Sequence, residues 1–494
     1  MRSKLREALL DKKRMCYIVI SLIGIALLMF MIIPYAKSAS YSVFQGDDFS
    51  KAIFMKGSES SFKQHMLLTA KMLKQNYFGK LGFYTSIILL GSISPVNITN
   101  LNGLGIIMTI NVLVYYLSIV LFIFCLMKNT IKMSPVSIWI SVGVIYGLTA
   151  YVQAQESFYQ LFCATTYTIP MSFMLMGVSL FLVFLRNNRV WIFILGIICG
   201  IIGCGGSLVV PALGCSLLAL ILIYCFIDKK GSSTKIYIWF GIYIVFSLLN
   251  TLAPGNFARH QQIDSSGIHP FKALSAAFMM VYKKRYLSLS NMDWVALVVL
   301  LVLLGLFIIP KANLNKKAYA IVSIIALAIP FIVAFPVALG YSNFNTYYAC
   351  PRRVAQIIDL AIMLTISNAA LCLGYYLRLL LSNKIKPVVI IISIIAFASF
   401  GLDNYSSIES NASMNIWKGL KSGIYQEYNE KADAFLKSLS DMEGEAVVVT
   451  YDTFPKPIEE FYCIELSTDP DGAQDNVNLA EYYGLKSLVL QNDQ

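Results

Sequence analysis

Charge is scarce in this chain. Asp, Glu, Lys and Arg make up 13% of its 494 residues, against about a quarter in a soluble domain. With 57% hydrophobic residues and a mean hydropathy of +0.67, that shortage excludes a soluble enzyme on a single anchor and implies several membrane spans. Histidine is nearly missing, with three in all, which argues against a His-rich metal site. The ten cysteines show no CxxC spacing. Cys16, Cys125, Cys199, Cys204, Cys215, Cys225 and Cys372 fall in apolar runs and read as small core residues, while Cys163, Cys350 and Cys463 fall in loops or the tail. Neither a disulfide framework nor a zinc site is expected. Acids are outnumbered, 27 against 39 basic residues, for a net charge of +12. That excess calls for no nucleic acid, because Lys and Arg gather in short loops between apolar runs, as the positive-inside rule requires. No cleavable signal peptide is expected either: the apolar run after the basic start "MRSKLREALLDKKRM" has span length.

What is present is a series of eleven apolar runs of near-spanning length: 15–35, 104–127, 136–152, 168–185, 190–204, 208–227, 236–252, 294–310, 318–339, 354–377 and 387–402. The expected fold is an all-α polytopic bundle of about 11 transmembrane helices. Short basic loops alternate along it, at Lys128/Lys132, Arg186/Arg189, Lys229/Lys230/Lys235, Lys311/Lys316/Lys317 and Arg378/Lys384/Lys386. They put the N-terminus inside and the C-terminus outside. The transmembrane part is read as 1–402, and its largest outer loop, 36–103, carries amphipathic stretches that suit the membrane surface. From 403 to 494 the composition turns soluble. The segment "SMNIWKGLKSGIYQEYNEKADAFLKSL" sets Ile416, Leu420, Ile424, Tyr428, Phe435 and Leu439 near helical spacing. "GEAVVVTY" reads as a buried strand, and a helix, a glycine stop and a second strand follow. This gives a small extracytoplasmic α/β domain.

Polar residues collect on the outer side. Asp47 and Asp48 stand in "FQGDDFSKAIF", just past the first span. The plain structural reading is a cap for a helix starting near Phe49. The functional one is a general base toward a hydroxyl, or a pair of hard oxygen ligands for a divalent cation. In "APGNFAR", Pro254-Gly255 makes a turn, Asn256 caps the next helix, and Arg259 either meets headgroups or clamps a phosphate with its planar fork. In "CPRRVAQIID", Arg352 and Arg353 stand where positive charge is disfavoured and call for a partner, either a lipid-linked phosphate or the Asp pair; snorkelling is the plain alternative. Asp359 lies deeper in the same span, where acids are costly. Gln155, Glu156 and Tyr167 sit in a loop before the fourth span and could hydrogen-bond a sugar, or could be loop filler. Lys80 in "NYFGKLGFY" is a phosphate contact or a surface lysine.

The order of these pieces resembles the GT-C type of polytopic membrane glycosyltransferase, in which an acidic motif follows the first span, surface helices and many spans come next, and an outward domain often closes the chain. It also resembles a family of bacterial polytopic membrane proteins that share "GDD(F/Y)", "PGN..R", an outer Arg near a Pro, and a terminal "YYGL/I". Here these are Asp47/Asp48, Pro254-Gly255-Asn256 with Arg259, Pro351-Arg352-Arg353, and Tyr482-Tyr483-Gly484-Leu485. The resemblance covers nearly the whole chain. It departs at Lys80, where an arginine is expected, so charge is kept and bidentate geometry lost. What it implies is transfer of a sugar from a polyprenyl-phosphate donor to a cell-envelope glycan or teichoic-acid-type acceptor on the extracytoplasmic face of the cell membrane. Asp47 or Asp48 would be catalytic, with Mg or Mn as a candidate divalent cation held by the same two acids. Lys80, Glu156, Tyr167, Asn256, Arg259, Arg352 and Arg353 would contact substrate. The alternative is a transporter or flippase of a lipid-linked or anionic solute, which would need charges near the membrane midplane. A third reading, a non-catalytic assembly partner, needs no cluster of acids and arginines.

Overall fold

The computed structural model describes residues 2–56, 61–93, 101–130, 134–151, 155–228, 234–263, 269–282, 292–308, 314–340, 351–381, 411–450 and 454–491, with scattered positions between 388 and 398. The chain opens with α1 (Arg2–Ala39), followed by the short α2 (Asp47–Met55), α3 (Phe62–Gly79) and α4 (Tyr84–Ile93). Next come α5 (Leu101–Thr130), α6 (Ser134–Tyr151), α7 (Gln155–Tyr159) and α8 (Leu161–Cys163), which runs through a π-turn at Ala164–Thr168 into α9 (Ile169–Asn187). The rest of the bundle is α10 (Val190–Cys204), α11 (Val209–Ile227), α12 (Thr234–Thr251), α13 (Pro254–Ile263), α14 (Pro270–Met279), α15 (Met292–Phe307), α16 (Lys316–Ala326), α17 (Ile329–Gly340) and α18 (Arg352–Leu380).

The chain thus forms an all-helical membrane bundle. Among the described residues, seven helical stretches are long and apolar enough to cross a membrane: 14–39, 103–130, 161–187, 209–227, 234–262, 316–340 and 352–380. Three more, at 135–149, 190–204 and 294–306, are apolar but shorter. Helices therefore stand at ten of the eleven apolar runs, and the eleventh, 387–402, lies largely outside the described residues. The bundle is ordered by burial. α18 has 72% of its apolar stretch enclosed and 161–187 has 67%, against 17% for α1. α1 instead turns Ile18, Leu22 and Phe30 outward, as a lipid-facing helix does.

One boundary differs from the sequence reading. The segment 162–170 is helical, so the fourth apolar helix starts at Leu161 rather than 168 and takes in Cys163 and Tyr167. Its threonines made it look like a loop. Their hydroxyls bond back along the helix, Thr165 Oγ1 to the carbonyl of Phe162 at 3.0 Å and Thr168 Oγ1 to that of Ala164 at 3.3 Å, which lets threonine be buried in a helix.

The tail contains helices Ala412–Ser422 and Ile424–Leu439, then β1 (Ala446–Val449), a helix Gln474–Tyr483 and β2 (Ser487–Leu490). β1 and β2 pair in parallel, Ala446 against Ser487. The first tail segment does not keep the single amphipathic face its spacing suggests: it breaks at Gly423, whose φ of +80° suits only glycine. The break rotates the second helix, so Ile424 is exposed and Tyr425 is buried in its place. The tail docks on the end of the bundle where α1 finishes. Trp417 Nε1 donates to the carbonyl of Phe30 at 3.0 Å, Asn429 Nδ2 to that of Tyr41 at 3.0 Å, and Gln45 Nε2 to that of Tyr462 at 2.9 Å. The rings of Tyr159 and Phe461 pack 4.5 Å apart.

Candidate active site at the tail-covered end of the bundle

The acidic motif is shaped by its glycine. Gly46 sits at φ 43°, ψ −112°, a conformation strained for any residue with a Cβ, and it turns the chain from α1 into α2. Two residues of the last helix hold that turn. The Gly46 N–H donates to Asp475 Oδ1, and its carbonyl accepts from Asn478 Nδ2 at 2.8 Å. The same helix packs Tyr482 against Phe49, with ring centroids 5.5 Å apart, and Lys56 donates its Nζ to the Tyr482 carbonyl. The two end motifs, "GDDF" and "YYGL", are therefore in contact.

The two acids, equivalent in sequence, differ in place. Asp48 is buried, and no side chain caps α2. Its Oδ1 accepts from the Phe162 N–H at 2.7 Å and its Oδ2 from that of Gln45 at 3.4 Å. It caps the start of the 161–187 helix, across the fold. Burial pushes its carboxyl up to about 8, against the pull of the backbone donors, and the neighbouring Asp47 adds to the rise. At neutral pH Asp48 mostly holds its proton. Asp47 is half-buried at the first turn of α2, and its Oδ1 accepts from Gln474 Nε2 at 2.8 Å.

One turn on lies Lys51, half-buried, with Nζ 5.8 Å from the Phe162 ring centre. Burial lowers the pKa of its amine. Asp47 opposes that shift, and the charges of Lys80 and Arg259 reinforce it. The fields of three charged groups from three separate segments therefore meet at Lys51. Lys80 and Arg259, both exposed, are carried there by the packing of α3 against α13. Asn256 secures this packing: its Oδ1 accepts from the Gly82 N–H at 2.9 Å and its Nδ2 donates to the Asn250 carbonyl at 2.7 Å. It joins the "PGN" turn to the "GKLG" loop, so both of its polar atoms are engaged by backbone.

The arginine pair has protein partners. Arg352 Nη1 donates to Gln155 Oε1, and Arg353 Nη1 meets Glu156 Oε2 at 3.1 Å and Cys163 Sγ at 3.8 Å. Gln155 in turn donates to the Glu459 carbonyl of the tail. Tyr167, buried in the π-turn, is an electrostatic neighbour of Arg353, as is Asp47. Asp359 is buried on α18 and is an electrostatic neighbour of Tyr115.

Asp47, Asp48, Lys80, Glu156, Tyr167, Arg259, Arg352 and Arg353 thus share one end of the bundle, with Asn256 beneath the Lys80 loop. Sequence reasoning missed Lys51, Gln474, Asp475 and Asn478. Lys51 had a usable signal, its position one turn after Asp47. The tail residues had none, because nothing local shows that residue 475 returns to residue 46. Burial, with the charges of Glu465 and then Asp47, holds Asp475 up to about 6, although it accepts backbone N–H groups from Glu465 and Gly46.

This donor set does not fit a divalent cation. Among the described residues no three His, Cys, Asp or Glu side chains gather as metal ligands. Asp48 and Asp475 spend their oxygens on backbone N–H groups, and the neighbouring Lys51, Lys80 and Arg259 favour an anion instead. Compared with protein-family models, curated proteins and solved structures, the chain matches none.

Proposed function

We propose that this chain is a membrane glycosyltransferase of the GT-C type, moving a sugar from a polyprenyl-phosphate donor to a cell-envelope glycan or teichoic-acid-type acceptor on the extracytoplasmic side. The observation that carries the reading is the pairing of an accessible carboxylate, Asp47, with three cations, Lys51, Lys80 and Arg259, at a bundle end covered by a polar tail. An acid beside a basic cluster suits a reaction that takes a proton from one partner while negative charge grows on the other. In this scheme Asp47 accepts the proton of the acceptor hydroxyl as its oxygen bonds to the anomeric carbon. The anomeric carbon–oxygen bond to phosphate breaks, and the electron pair leaves with the polyprenyl phosphate. Lys51, Lys80 and Arg259 stabilise that phosphate.

Asp48 is assigned a positioning role: mostly protonated and locked to backbone, it holds α2 against the 161–187 helix. Arg353, already paired with Glu156, shapes the site and contributes less charge to the phosphate. The test is to delete the gene in its host, complement with wild type or Asp47→Asn, and analyse envelope carbohydrate after acid hydrolysis. Loss of one sugar, restored by wild type and not by the variant, is expected. An unchanged sugar profile in the deletion strain rules the enzyme reading out.

A further inference from the structure

The other end of the bundle is hollow. A cavity of about 600 Å³ runs between α5, α6, α9, α11, α16 and α18, within the range of about 300–1,000 Å³ typical of ligand sites. Its walls are apolar, Val144, Leu220 and Leu371 among them, while Asn129, Arg186 and Asn188 from the ends of α5 and α9 supply polar lining. Among the described residues that line it there is no Asp or Glu, the nearest acid along the lining helices being Asp228 at the end of α11. Lys128 adds a second positive charge, since Cys125 lies within electrostatic reach of both Lys128 and Arg186. From Cys163, beside Arg353, to Arg186 the helix rises roughly 35 Å. The span of a hydrocarbon core, about 30 Å, therefore separates the cavity's polar lining from Asp47.

We infer that this cavity is a binding site for an anionic phospholipid of the bilayer, with its chains in the hollow and its phosphate at Arg186. An apolar interior excludes a polar solute, and a basic lining without a carboxylate selects a negative headgroup over a zwitterionic one. Arg186, flanked by Asn129 and Asn188, can pair with phosphate oxygens while the chains supply the van der Waals contacts that the walls of an empty apolar hollow lack. The site is separate from the one assigned to sugar transfer and stands whether or not that activity does.

The full chain, purified in mild detergent, is expected to retain anionic phospholipid, read by native mass spectrometry and by lipid analysis of the solvent extract. Arg186→Gln changes an exposed residue and is expected to lower that retention about fivefold, with little effect on zwitterionic lipid. Leu220→Trp fills the hollow and is expected to abolish retention of either kind; should it not fold, Arg186→Gln together with exchange into phosphatidylglycerol or phosphatidylcholine nanodiscs carries the test. Equal retention of anionic lipid by wild type and Arg186→Gln overturns the assignment, as does equal retention of the two lipids by wild type. A retained species with the mass of a polyprenyl phosphate contradicts a bilayer phospholipid as the occupant.

Discussion

The two ends of the bundle solve the same problem in opposite ways. At the end near Asp47 the charges are answered from within the protein: Arg353 by Glu156, Arg352 by Gln155, Asp48 and Asp475 by backbone N–H groups. The tail then closes over them. At the end near Arg186 the charge has the same sign as its neighbour Lys128, and the space beneath is open and apolar. A closed polar cluster with one accessible carboxylate suits chemistry. An open apolar hollow with a basic lining suits lipid. Chain length alone would have treated the two ends alike, because both are loops at helix termini.

The sharpest way to break this contrast is to remove the accessible carboxylate. Asp47→Asn is expected to lower sugar transfer by about 10²–10⁴-fold, the usual contribution of a positioned general base, and to leave the melting temperature of the detergent-solubilised protein unchanged. Next in size is the ion pair. Arg353→Ala leaves Glu156 partly buried without its cation, and a loss of about 1.5–3 kcal/mol is expected in chemical denaturation. Combining it with Glu156→Gln should recover part of that loss.

Asp48 offers a third test, with a defined sign. Asp48→Ala strands the Phe162 N–H and is expected to cost about 1–3 kcal/mol. Because burial holds the folded carboxyl at about 8, above its ordinary value of 3.8, the folded state binds the extra proton between those limits. The stability that this proton supplies is complete below about pH 4 and is lost as pH rises toward 8. Melting points measured from pH 5 to pH 9 should fall for wild type through this group and fall less for Asp48→Asn. The smallest effect is at the latch between tail and motif. Asn478→Ala removes one hydrogen bond to Gly46, worth about 1 kcal/mol, and is expected to speed limited proteolysis of the tail without altering the bundle.

Much of the bundle could be read in advance because membrane spans announce themselves locally: ten apolar runs coincide with helices, α16 and α17 sharing the run 318–339, and a Gly at 484 ended the last helix as expected. The convergence of Asp47, Lys80, Arg259 and Arg353 at one end was also legible, through their shared position at span ends. What could not be read is what crosses the fold. Asp48 looked like a local cap because its partner, the Phe162 N–H, is more than a hundred residues away. Asp475 sits among scattered tail acids and becomes meaningful only beside Gly46. The helix from 161 was hidden by threonines whose hydroxyls satisfy themselves along their own helix. Ile424 was misplaced because an amphipathic pattern does not register a one-residue glycine break.

In the proposed scheme the two adjacent acids divide their duties, Asp47 facing substrate and Asp48 holding the fold. The direct measurement puts wild type, Asp47→Asn and Asp48→Asn in liposomes and follows both release of polyprenyl phosphate from a panel of polyprenyl-phosphate sugars and the pH dependence of melting. Turnover is expected from wild type and from Asp48→Asn, none from Asp47→Asn, and a flattened melting profile from Asp48→Asn alone. Turnover by Asp47→Asn, with Asp48→Asn inactive at an unchanged melting profile, would contradict the scheme.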